Sequence, residues 1–115
     1  MEIGVDCVEI NRFREQKKGF FKKVFSEEEI KYCESKGRPI QHYAVRFAGK
    51  EALIKAMYSF GVSLNVTQIE ILNDKSGKPH ARIMQEPKDS YKIKISLSHS
   101  DTIAIAVVLV TKNNG

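Results

Sequence analysis

Hydrophobic and polar positions along the chain change period about halfway. "EIGVDCVEI" (residues 2–10) alternates Ile3, Val5 and Cys7 with Gly4, Asp6, Val8 and Ile10. Both faces are largely apolar, so an internal strand is expected. "NRFREQ" starts a helix with Asn11 as N-cap; Gly19 interrupts it, and "FFKKVF" supplies aromatics for packing. "SEEEIKYCESKG" predicts a helix with Ser26 as N-cap, Glu29 completing a capping box and Gly37 as terminator. A loop through Pro39 leads to a long helix ending near Gly61. Within it, "AVRFAGKEALIKA" places Ala44, Phe47, Ala48, Ile54 and Tyr58 on one apolar stripe, at about 100° per residue. Glu51 and Lys55 interrupt that stripe.

The second half reads with period two. "TQIEILND" (67–74) and "PHARIM" (79–84) flank the turn-rich "DKSGK", a hairpin pattern. "YKIKISLSH" (91–99) puts Tyr91, Ile93, Ile95, Leu97 and His99 on one face and Lys92, Lys94, Ser96 and Ser98 on the other. "SDT" turns the chain into a last strand, "IAIAVVLV" (103–110). The order predicts an α+β fold in one domain, 1–115: a mainly antiparallel sheet packed with one long helix and shorter helices. The last strand is apolar on both faces. Helices of so short a chain cover one side of a sheet, so the surplus face, with its small Ala side chains, is expected to meet other copies.

Composition adds compartment and partner. The 115 residues are 42% hydrophobic and 29% charged, as in a soluble globular protein. Cys7 and Cys33 show neither a disulfide framework nor metal spacing and read as reduced thiols. "MEIGVDCVEI" has no signal-peptide pattern, and the eight-residue "IAIAVVLV" is too short to span a bilayer as a helix. A cytoplasmic protein is expected. Net charge is +5. Arg12, Arg14, Lys17, Lys18, Lys22 and Lys23 stand against a single Glu15 between Asn11 and Phe25. Such a segment suits an acidic partner (nucleic acid, anionic lipid or an acidic protein) or is a solvated helix face.

Ionisable residues on apolar faces carry the candidate chemistry. Asp6 shares a strand face with Gly4, Val8 and Ile10, Glu51 sits in the helix stripe, and His99 ends the Tyr-Ile-Ile-Leu face. A buried carboxylate needs a partner or a cation. Separately, Glu51 and Lys55 read as a surface i,i+4 pair, His99 as a core-edge histidine bonded to backbone and Asp6 as a loop cap. Together, two carboxylates with few other ligands suit a hard cation such as magnesium, whose other positions go to water and phosphate oxygens.

"IGVDCVEINRF", "FSEEEIKYC", "RFAGKEALIKA", "NDKSGKP" and "ISLSHSD" follow one another in an order and spacing that resembles the holo-(acyl-carrier-protein) synthase family, the small phosphopantetheinyl transferases. The resemblance covers nearly the whole chain. Cys7, where the family usually has an aliphatic residue, and Gly49, commonly Ala, are departures. The resemblance implies transfer of the phosphopantetheine arm of coenzyme A to a serine of an acyl carrier protein, in support of fatty acid biosynthesis. It implies magnesium, or manganese in its place, on Asp6 and Glu51. With Lys55 on phosphate oxygens, these are the implied catalytic residues. Arg46 and Lys50 are implied as further phosphate or nucleotide contacts, with a polar stripe facing solvent or a neighbouring subunit as the alternative. His99 with Ser98 and Ser100 would lie beside the nucleotide, and Gly77, Lys78 and Pro79 would wall the adenine. The acceptor of the serine proton stays open between a metal-bound water steered by Asp6 or Glu51 and His99. Carrier proteins are acidic, so Arg12, Arg14, Lys17, Lys18 and Lys22 would form their docking face. A homotrimer with sites at subunit interfaces is also implied. The competing reading is a non-catalytic basic module that binds nucleic acid or an acidic protein. Phe13, Phe20, Phe21 and Phe25, at spacings that favour packing over base stacking, speak against nucleic acid.

Overall fold

The computed structural model describes residues 1–113. Strand β1 (Glu2–Glu9) leads through two short helices, α1 (Asn11–Arg14) and α2 (Lys18–Val24), to α3 (Glu27–Glu34) and the long α4 (Pro39–Tyr58). A 3-10 turn (Val66–Gln68) opens the hairpin of β2 (Ile69–Asn73) and β3 (Pro79–Ile83); β4 (Tyr91–His99) and β5 (Ile103–Lys112) follow. The sheets are antiparallel, one with order β1-β5-β4 and one formed by β2 and β3. The expected α+β architecture is borne out.

Helix α4 lies on one face of the larger sheet. Ala104, Ala106, Val108 and Val110 of β5 pack beneath it with Val8 of β1, and all are buried. The small side chains of β5 thus face inward and admit the helix. That corrects the expectation that this Ala face meets other copies. The outward face instead carries Ile3, Val5 and Cys7 of β1 and Ile103 and Ile105 of β5, all exposed. It also corrects the reading of β1 as internal. In this chain β1 is an edge strand, and its second apolar face has no cover from the described residues.

Helix α4 is buried on more than its predicted stripe. Val45, Ala48, Ala52, Leu53, Ala56 and Met57 form most of its core contact, while Tyr58 is 73% exposed. The helix meets the sheet on one side and α3 with the hairpin on another, so no single apolar stripe describes it. Pro39 occupies its first turn, where a missing N–H costs nothing. Ser26 caps α3 as predicted: its hydroxyl accepts from Glu29 N while the Glu29 carboxylate accepts from Ser26 N. Asn11 is helical rather than the N-cap of α1, and its side chain accepts from Arg14 Nε. The break before α2 falls at residues 15–17, leaving Gly19 inside the helix.

Candidate active site

Asp6, Glu51 and Lys55 meet where β1 crosses α4. Alternation along β1 turns Gly4, Asp6 and Val8 toward the helix. Gly4 makes the crossing close: a Cβ there would lie 1.9 Å from the Ala52 carbonyl oxygen. Two residues on, Asp6 Oδ1 accepts from Lys55 Nζ at 3.0 Å, and the same ammonium donates to the Val5 carbonyl at 3.0 Å. The Asp6 side chain is 16% exposed and that of Lys55 56%. One turn before Lys55, half-buried Glu51 faces the same end of the strand. Burial, and then the Asp6 charge, raise its pKa, with Lys55 opposing. Two neighbouring carboxylates, with Asp6 disfavouring ionisation of Glu51, beside a single exposed ammonium make a place where added positive charge is welcome. Among the described residues no third His, Cys, Asp or Glu joins them. That donor set fits an ion that keeps most of its ligand positions for water and phosphate oxygen.

The other predicted residues sort by position. His99 extends the row Val8–Ala104 across the sheet, two strand spacings or roughly 10 Å from Val8 and next to the row holding Asp6. Its Nδ1 donates to the Ser100 carbonyl at 3.1 Å, which directs Nε2 outward. The His42 ring lies 6.2 Å from it; burial, Arg46, His99 and Lys36 lower the His42 pKa. Ser98 is on the outward face of β4, away from His99. The Ser100 hydroxyl closes the β4–β5 turn by accepting from Thr102 N and Ile103 N. Gly77, Lys78 and Pro79 form the hairpin turn, with Gly77 at φ +89°, a conformation other residues rarely adopt. Asp74 accepts from the Ser76 hydroxyl, His80, Lys78 N and Ser76 N, contacts that hold its carboxyl well below the usual carboxylate range. Arg12, Arg14, Lys17, Lys18 and Lys22 are all exposed along α1 and α2, clear of Phe13, which is buried.

The solvent-facing alternative for Arg46 and Lys50 requires a correction. Both side chains are buried and bonded within the protein. Lys50 Nζ is buried and donates to Glu29 Oε1 at 2.7 Å and to the carbonyls of Val24 and Val66. Arg46, 1% exposed, donates through Nε to the Ile71 carbonyl, through Nη1 to that of His42 and through Nη2 to Asn73 Oδ1. Its guanidinium also lies 4.2 Å from the Tyr32 ring centre. Both cations therefore tie α4 to α3 and the hairpin. Sequence reasoning took Glu29 for a cap alone and passed over Glu70. Glu29 Oε2 accepts from Ile71 N at 2.8 Å, while buried Glu70 accepts from the Ser26 hydroxyl and from Arg82. The one local signal for Glu70 was a carboxylate inside "QIEIL".

Comparison with known proteins agrees with this arrangement. A model of the 4'-phosphopantetheinyl transferase superfamily matches residues 2–108. The "Holo-[acyl-carrier-protein] synthase" of Chlorobaculum parvum is 44% identical over 115 residues, covering 96% of this chain and 97% of its own. That of Chloroherpeton thalassium is 42% identical over 96% of this chain and 97% of its own. The Bacillus anthracis synthase, solved in complex with CoA (3',5'-ADP), superposes with a TM-score of 0.83 at 30% identity over 97% of this chain and 96% of its own. The Helicobacter pylori enzyme, solved with coenzyme A, gives 0.81 at 31% identity over 95% and 99%. Taken with the β1–α4 crossing that brings Asp6 to Lys55, these matches show that the chain belongs to the 4'-phosphopantetheinyl transferase superfamily.

Proposed function

We propose that the protein is a holo-(acyl-carrier-protein) synthase. It moves the 4'-phosphopantetheine arm of coenzyme A to a serine hydroxyl of apo acyl carrier protein and releases adenosine 3',5'-bisphosphate. The observation that carries the reading is the Asp6–Lys55 pair at the Gly4 crossing with Glu51 one turn away.

The serine oxygen forms a bond to the phosphorus next to pantetheine, and the bond from that phosphorus to the bridging diphosphate oxygen breaks. Asp6 and Glu51 would hold magnesium, or manganese in its place, which would supply Lewis-acid stabilisation of charge on the attacked group. Lys55 shifts from Asp6 toward phosphate oxygens as a mobile point charge, which its exposure permits. Asp6 and Glu51 orient the water that takes the serine proton, and His99 Nε2 is the second candidate acceptor. Gly77, Lys78 and Pro79 wall the adenine, with His99 and Ser100 beside the nucleotide. Arg12, Arg14, Lys17, Lys18 and Lys22 receive the acidic carrier protein.

Coenzyme A is longer than the Asp6–Lys55 corner, and the uncovered face of β1 and β5 is apolar. Both features support assembly in which a neighbouring copy helps enclose the coenzyme, in a homotrimer. Residues 1–115 act as one domain. The cytoplasm, where apo carrier protein and coenzyme A meet for fatty acid biosynthesis, is the proposed location. Among the described residues no helix is long and apolar enough to cross a membrane.

The test incubates the protein with coenzyme A, magnesium and apo carrier protein and weighs the carrier by mass spectrometry. A gain of one phosphopantetheine is expected. No gain, with a salt-dependent shift of DNA, would instead favour the basic-module reading.

A further inference from the structure

Asn73 ends β2 and stands between α4 and the hairpin turn. Its Oδ1 accepts from buried Arg46 Nη2, and its Nδ2 donates to the Gly77 carbonyl at 2.8 Å. A guanidinium only donates and a carbonyl only accepts, so the amide has one workable orientation. Arg46 is itself fixed at three further points: the Ile71 carbonyl, the His42 carbonyl and the Tyr32 ring. The turn is stiffened from within by Asp74, whose Oδ1 accepts from Ser76 N and Lys78 N, while Asp74 N donates to the Lys78 carbonyl. Residues 74–78 are therefore a rigid unit, and its side-chain link to α4 runs through one amide.

From this relay we infer that Asn73 is a positioning residue for the nucleotide end of coenzyme A. It sets the Gly77–Lys78–Pro79 wall relative to the helix that carries Glu51 and Lys55. The inference rests on the coenzyme A reading above. Arg46 contributes through its bond to Asn73.

Two substitutions separate position from stability and from charge. Asn73→Ala removes both bonds and adds no charge. Asn73→Asp keeps an acceptor for Arg46 but loses the donor to Gly77. Measured are thermal stability, steady-state transfer with either substrate varied, and calorimetric binding of adenosine 3',5'-bisphosphate, all on the full chain as it assembles. Both variants should raise the coenzyme A KM and the adenosine 3',5'-bisphosphate Kd together by about fivefold, the scale of one lost hydrogen bond. The carrier-protein KM and kcat should stay near the parent values. Stability should fall in Asn73→Ala and hold in Asn73→Asp. A KM rise in the Asp variant alone would make charge repulsion the cause. A rise in the Ala variant alone would make it a matter of fold stability, and equal loss in kcat a matter of general damage; each overturns the inference. A parent protein that transfers nothing and binds no adenosine 3',5'-bisphosphate removes the coenzyme A reading itself.

Discussion

Replacing Gly4 by Ala tests whether the close crossing of β1 and α4 builds the site. The added Cβ would sit 1.9 Å from the Ala52 carbonyl oxygen, 2.9 Å from its carbon and 3.2 Å from Ala56 N. An unstrained carbon–oxygen contact is about 3.3 Å or longer, so the crossing must open by roughly 1.4 Å. Both partners are backbone, and no rotamer change relieves them. Ala lowers the entropy of the unfolded chain, which favours folding by about 0.4–1 kcal/mol. Overpacking costs about 1–3 kcal/mol even where side chains can move aside. Separating two packed elements by ~1 Å also forfeits up to half of each dispersion contact along the seam. The cost wins, with a net loss of about 2–4 kcal/mol and a melting temperature lower by about 10 °C or more. Asp6, two residues along, moves away from Lys55 and Glu51, and a displacement of about 1 Å at a reacting centre costs on the order of 100-fold. Calorimetric melting, and carrier mass gain at a temperature where the variant is folded, read the two effects. A Gly4→Ala protein that melts within about 3 °C of the parent and transfers at a similar rate would refute the argument.

Glu51→Gln should stabilise the metal-free fold while abolishing transfer. The folded Glu51 carboxyl holds its proton above its ordinary value, so its contribution to stability is full below the unfolded pKa and is lost as pH rises through the folded one. The melting advantage of the variant should therefore grow from acid toward neutral pH, and an advantage independent of pH would contradict this. Ile105→Glu should yield monomers that remain folded, because Ile105 is 43% exposed on the outward face; Ala106→Glu should unfold the chain, because Ala106 is 1% exposed beneath α4. Light scattering with circular dichroism distinguishes the two, and a fully assembled Ile105→Glu protein would move the interface elsewhere. Arg14→Glu should raise the carrier-protein KM about tenfold at low salt with little change for coenzyme A, an effect that shrinks as added salt screens charges beyond about 8–10 Å; equal KM values for parent and variant would leave α1 merely solvated.

The legible parts of this chain were those whose cause is local. The capping box at Ser26 and Glu29, the hairpin around "DKSGK" and the alternation of β4 all depend on neighbours a few residues away, and all are in place. The two-faced apolar pattern of β1 and β5 showed that both faces want cover without saying which face α4 would take. That choice depends on Gly4 and the β5 alanines admitting the helix backbone, a close-packing effect that hydropathy does not register. The same blindness misplaced the core stripe of α4, where Ala48, Gly49, Ala52 and Ala56 carry contact out of proportion to their hydrophobicity. The burial of Arg46 and Lys50 was not legible because their partners Ile71, Asn73 and Glu29 are 21 to 27 residues away. The spacing of Asp6, Glu51 and Lys55 was recognisable as a motif, but their convergence is a property of the crossing.

Three cations on α4, Arg46, Lys50 and Lys55, divide the work of making a rigid platform with one responsive edge. Lys50 is sealed against Glu29, whose other oxygen holds Ile71 N, so one buried pair joins α4, α3 and β2. Burial lowers the Lys50 pKa and Glu29 opposes that shift. A charge that has lost its water and kept its partner is costly to move, because removing either partner strands the other. Arg46 does the same for the hairpin turn with a planar group that reaches three acceptors at once. Lys55 is the opposite case. It is more than half exposed, and its bonds to Asp6 and the Val5 carbonyl can be exchanged for water or phosphate at small cost. A transferring diphosphate needs fixed carboxylates and a cation free to follow charge as it develops. On the proposed reading β1 supplies Asp6 and α4 supplies Glu51 and the mobile Lys55, because Arg46 and Lys50 are committed to packing and Lys55 is not.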